Sequence, residues 1–204
     1  MAPEAVAAER AYQMLKADVV AGRFKPGETI VERVLAAEHG VSIAPLRDGA
    51  QRLLGEGLLE PVQRGGYRVP AISEAELRDL YQWHEHLVRL IVKLTDHSLF
   101  DALSVGEFDA LSGDNAASMG TRLFRSIAAL SDNREHARAL LAANDRLQPV
   151  RQRESVVLAN LTGELEHLRN ALLRGSDHNR FAAIRAYHRR RIRRANKIIE
   201  ALAT

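Results

Sequence analysis

The 204-residue chain contains no cysteine, so disulfides, thiolate metal sites and cysteine nucleophiles are excluded. Aromatic residues make up only 5% and proline occurs six times, while alanine, leucine and arginine are plentiful, a balance that favours helix over sheet. No apolar run approaches the roughly 20 residues that a membrane-spanning helix needs. The stretch Met1 to Arg10 lacks the basic start and long apolar core of a signal peptide. The expectation is therefore no membrane partner and a cytoplasmic location. A strong charge excess is missing too. The net charge is +3, and residues 1–70 hold nine Lys/Arg against nine Asp/Glu, so bulk charge says nothing about nucleic acid in that part. The surplus falls between Arg180 and Lys197, with eight Lys/Arg and no acid, which reads as a solvated helix face. With 46% hydrophobic and 27% charged residues, the chain has the composition of a globular protein with a real core.

What is present is a sequence of ordered signals. Tyr12, Leu15, Val19 and Val20 have helical spacing within a predicted helix over 7–21, and Gly22 stands at its C-terminal stop. A turn over 24–28 precedes a second predicted helix over 31–39, which Gly40 ends. Ser42 is placed to cap a third helix running to about Gly55, with Pro45 inside the first turn, where its missing N–H costs little. Two short strands follow, 57–62 and 67–69, around Gly65-Gly66, which is a hairpin signal. Helix, helix-turn-helix and hairpin in that order describe a winged helix. From Ser73, with Glu76 completing a capping box, the rest reads as helix over 74–98, 104–111, 115–131, 134–149, 153–175 and 177–203. The predicted fold class is mainly α, a winged helix-turn-helix over 1–70 followed by a bundle of about six helices over 71–204.

The run Gly22-Arg23-Phe24-Lys25-Pro26-Gly27-Glu28-Thr29-Ile30, then Leu35-Ala36, Gly40-Val41-Ser42, Pro45-Leu46-Arg47-Asp48, Glu56-Gly57-Leu58-Leu59 and Arg64-Gly65-Gly66, resembles the GntR-family winged helix. The helical remainder resembles, more loosely, the FCD ligand-binding domain of the FadR-like branch in a short, VanR-like form. The resemblance implies a transcription regulator, a repressor with activation left open, acting as a homodimer on double-stranded operator DNA. It implies DNA contacts by Arg33, by Ser42, Ile43, Ala44, Pro45 and Arg47 around the start of the third helix, and by Arg64, Gly65 and Gly66 at the wing. That agrees with the residues themselves, because a recognition helix lays its N-terminal side chains against base edges and its free N–H groups against phosphate. The family places Arg after the serine; Ile43 stands there instead, suited to a thymine methyl. Gly49 replaces the usual alanine and would loosen the helix slightly.

In the helical part, the resemblance implies a pocket for a small effector, expected to be an organic acid. FCD domains often hold a metal through an Asp, a His four residues later and two further His. His167 and His188 match the last two positions, but Thr121 and Arg125 occupy the first two, so no cofactor is expected; any metal would rest on His167 and His188, with His84 and His86 as the replacement candidates, although histidines on a helix surface are usually solvated. Arg125 offers a guanidinium in place of a metal-bound His, or else points to solvent or pairs with Asp132. The expected pocket is Thr121, Arg125, His167 and His188, with His84 nearby. The histidines have no triad context and no phosphate loop is present, so an enzyme is not expected. A constitutive dimeric DNA-binding protein with a degenerate pocket is the alternative.

Overall fold

The computed structural model describes residues 3–63, 65–96, 98–100 and 115–203. The chain divides into two compact units, Met1–Ile72 and Ser73–Leu202.

The first unit comprises α1 (Pro3–Val20), β1 (Thr29–Ile30), α2 (Glu32–His39), α3 (Ile43–Gly55), β2 (Glu60–Pro61) and β3 (Tyr67–Arg68). Its core gathers Tyr12, Leu15 and Val19 of α1 with Leu35 and Ala36 of α2 and Leu46, Ala50 and Leu53 of α3, closed below by Ile30, Leu58, Leu59 and Tyr67. Gly22 and Gly40 take left-handed φ of 71° and 63°, which releases the chain from α1 and α2 without a Cβ penalty. The hairpin is wider than the sequence suggested. β3 pairs antiparallel with β2 and also with β1, giving the order β1-β3-β2.

Gly49 is not a mere weak point in α3: a Cβ there would lie 2.9 Å from Tyr12 Cα and 3.0 Å from Tyr12 N. Its bare backbone lets α1 cross α3 closely.

The second unit is α4 (Glu74–Leu94), α5 (Ala116–Ala129), α6 (Arg134–Val157), α7 (Leu161–Arg174), α8 (Asp177–Arg193) and α9 (Ala195–Leu202). The predicted helix over 104–111 lies outside the described residues. α4 starts on the expected capping box, Ser73 accepting from the Glu76 N–H and Glu76 from the Ser73 N–H. Leu161, Leu165, Leu168 and Leu172 form the buried stripe of α7. Two expected boundaries move. α6 runs through Pro149 to Val157, because Leu147, Val150, Arg151 and Glu154 stay buried on the same side, and that packing outweighs the roughly 3 kcal/mol cost of an internal proline. The chain breaks instead at Asn160, with φ 53°. The last predicted helix divides at Arg194, whose φ of −109° and ψ of 11° are not helical. No helix among the described residues is long and apolar enough to cross a membrane.

Candidate functional site

Two groups of polar residues stand out, one in each unit. In the first, Ser42 has the extended backbone of an N-cap but its side chain makes no capping bond, contrary to the expectation. The first-turn N–H groups of α3 are therefore not claimed by the serine hydroxyl. Ser42, Ile43, Ala44 and Arg47 are exposed and Pro45 is half-buried. Arg47 is docked on α2, its Nη2 2.9 Å from Glu32 Oε2 and its Nε 3.4 Å from Oε1. Arg33 is exposed and makes no ion pair among the described residues. Around these lie Val31, Val34 and Ile43, at 55%, 55% and 38% exposure. Gly65 and Gly66 form the hairpin tip with φ of 93° and 88°, conformations that L side chains rarely adopt. Arg64 lies outside the described residues.

In the second unit, a polar cluster is sealed inside the bundle. His188 of α8 and His84 of α4 are both fully buried, with His188 Nε2 2.8 Å from His84 Nδ1. His188 Nδ1 lies 2.7 Å from the Ile184 carbonyl. A carbonyl only accepts, so Nδ1 carries the proton and Nε2 is left to accept. His84 Nδ1 must then donate to it, which leaves a lone pair on His84 Nε2. That lone pair faces Arg151 Nη2 at 3.4 Å. Both rings are neutral in this chain of donors, and burial drives both below the ordinary histidine range, His188 to about 3 and His84 well below. His84 also sets its ring edge against Phe124, centroids 4.4 Å apart.

Arg151 is the unexpected member. It is 3% exposed, lies with its guanidinium 5.2 Å from the Phe124 ring centre, and donates through Nη1 to Asn144 Oδ1 at 2.8 Å, the Asn144 carbonyl at 3.2 Å and Thr121 Oγ1 at 3.3 Å. Its Nε has no partner, and no carboxylate pairs with it among the described residues. Thr121 is buried and hydrogen-bonded to Gln148. A second buried arginine, Arg191, is the opposite case. Its Nη2 is 2.8 Å from Glu154 and its Nη1 3.0 Å from Glu164, while Tyr81 donates to Glu154 at 2.6 Å.

The structure thus brings together His84, Thr121 and His188, and adds Arg151 and Asn144. It does not bring in the other two expected residues. Arg125 is half-exposed and pairs with the buried Asp145 at 3.0 Å, not with Asp132. His167 is exposed on α7, because the buried stripe Leu165-Leu168-Leu172 turns position 167 outward. The residues do not fit a divalent metal. Both nitrogens of His188 are engaged, the lone pair of His84 meets a guanidinium, and no group of three or more metal-ligating side chains occurs among the described residues.

Residues 7–69 match the family model described as bacterial regulatory proteins, gntR family. Over 83 residues, 41% of this chain and 38% of the relative, the sequence is 32% identical to the HTH-type transcriptional repressor GlaR of Escherichia coli (strain K12). Over 111 residues, 54% of this chain and 50% of the relative, it is 32% identical to the HTH-type transcriptional regulator YdhC of Bacillus subtilis (strain 168). The chain thus spans half or less of these curated relatives. The solved structure of E. coli McbR/YncC superposes with a TM-score of 0.69 at 19% identity, covering 94% of this chain and 97% of that one, a likeness of fold.

Proposed function

Through residues 7–69 the chain belongs to the GntR family of bacterial regulatory proteins, and from that membership we propose that it is a sequence-specific, cytoplasmic DNA-binding transcription regulator whose helical unit dimerises and senses an acidic metabolite. The observation that carries the DNA-binding reading is the exposed, uncapped start of α3. Ser42, Ile43 and Ala44 stand free there, with Arg47 and Arg33 beside them. Backbone N–H groups hold a phosphate, Ile43 and its apolar neighbours meet a thymine methyl, and Arg47 exchanges Glu32 for phosphate or guanine. Gly65 and Gly66 at the hairpin tip belong to the same reading, as a wing that approaches the minor groove.

Footprinting of the full chain on genomic fragments tests it, with Arg47→Ala alongside. The variant loses roughly 1–3 kcal/mol of operator binding, about 5- to 150-fold in affinity. Its fold is retained, since an ion pair as exposed as Arg47–Glu32 stabilises by about 0–1 kcal/mol. Absence of any sequence-specific protection by the wild type overturns the reading.

The effector reading is supported by Arg151. A guanidinium buried without an anion is costly, and a carboxylate that reaches its unpartnered Nε when the bundle opens around it would relieve that cost. His84, Thr121 and His188 stand around it.

A further inference from the structure

The exposed side of α8 has no part in the function proposed above. His178, Ala182, Arg185, Ala186, Arg189 and Arg193 are all exposed and fall within about 100° of one another around the helix axis, so they line one side of the helix over about 22 Å. Two open concavities of about 400 and 300 Å³ lie along it. Arg89 of α4, Arg185 and Arg189 wall the first, and Arg189, Arg193 and Arg194 the second, with the small side chain of Ala186 in both. Arg89 lies 3.6 Å from Glu85 and Arg190 3.3 Å from Glu164. Arg185, Arg189, Arg193 and Arg194 make no ion pair among the described residues.

A merely solvated face does not need this arrangement. Elsewhere in the same unit Arg78 pairs with Glu74 and Arg138 with Glu135 along their own helices, and exposed arginines without an ion pair among the described residues, such as Arg134, Arg146 and Arg153, do not follow one another at four-residue spacing. On α8 the successive four-residue neighbours Arg185, Arg189 and Arg193 are like-charged, which destabilises a helix by about 0.2–0.5 kcal/mol per pair. The helix holds a repulsive row. A second copy of the chain is a poor occupant, because a two-fold contact sets the row against itself. The guanidinium fork matches phosphate in two-point geometry, and the alanine leaves room between the forks.

We propose that this side of α8 is a second, sequence-independent contact for the phosphate backbone of duplex DNA; the inference rests on the reading that the winged helix binds DNA. The test is fluorescence anisotropy of the full chain with a labelled random-sequence duplex, titrated across 50–200 mM salt. Three proteins are compared: wild type, the triple variant Arg185→Gln/Arg189→Gln/Arg193→Gln, and Arg33→Ala/Arg47→Ala. Each lost phosphate contact lowers the slope of log K against log salt by about 0.9, so the triple variant loses about 2.7 per chain. Its thermal midpoint is equal to or above that of the wild type, since repulsion is relieved. A triple variant with the wild-type slope and affinity overturns the proposal while leaving the winged-helix reading intact. A wild type that binds no duplex at low salt overturns both.

Discussion

Two buried arginines in one helical unit show how differently the same side chain is accommodated. Arg191 lies between Glu154 and Glu164 and stacks on Tyr187, its guanidinium 3.4 Å from the ring centre, so its charge is compensated and its loss would strand the buried carboxylate of Glu154. Arg151 has only neutral acceptors, Asn144, Thr121 and the lone pair of His84. The histidines there were visible in the sequence, as was Thr121. Arg151 was not, because α6 from its middle onward mixes Asn144, Gln148, Arg151 and Glu154 with other charged and amide side chains, and a polar helix reads as solvated. The signal was their own spacing of three and four, a polar stripe on the side that packs. The expected result follows from that difference. In a thermal-shift panel of small mono-, di- and tricarboxylates, at least one acid raises the midpoint of the wild type, and Arg151→Met abolishes the shift. Arg125→Met keeps it, since Arg125 is already neutralised by Asp145. A shift that survives Arg151→Met places the acid elsewhere, and no shift with any acid supports a constitutive regulator.

At the level of elements, the winged helix was readable because its boundaries are written in turn chemistry. Gly22, Gly40 and the Gly65-Gly66 tip all hold positive φ, and such positions announce themselves as glycine. The breaks in the bundle were less readable. Pro149 suggested an end to α6 that packing overrides, and Asn160 supplied the real one without a glycine. Gly49 was misread for a related reason. Helix propensity is local, whereas the demand on position 49 comes from α1, far away in the sequence. Gly49→Ala separates the two effects. Propensity alone predicts a gain of about 1 kcal/mol. The contact with Tyr12 backbone at 2.9 Å cannot be relieved by rotating a side chain, and overpacking costs typically 1–3 kcal/mol. The expected outcome in urea denaturation is therefore a net loss of stability or none gained. A variant more stable by the full propensity gain would show that α1 and α3 separate freely.

At the scale of the whole molecule, a single α3 reads too few base pairs for useful specificity, so the proposed operator is palindromic and the protein a two-fold dimer. The helical unit offers a surface for that contact. Trp83, Leu90 and Leu94 of α4 are 52%, 38% and 62% exposed, and on a helix of 3.6 residues per turn they fall within about 40° of one another. Exposed apolar residues scattered singly need no explanation, whereas a row of three on one side of a helix is the surface we propose for the dimer contact. The occupant that fits is the same row on a second copy. It is apolar, so it meets itself without charge repulsion, unlike the arginine row of α8. Light scattering at micromolar concentration is expected to return about twice the 22.7 kDa chain mass. Trp83→Glu/Leu94→Glu is expected to return the monomer with an unchanged far-ultraviolet circular dichroism spectrum, because neither side chain belongs to the buried core. It also weakens operator binding by at least tenfold, since each half-site is then held alone. A wild-type monomer would defeat the dimer altogether, and a double variant that stays dimeric would move the interface to another face of the bundle.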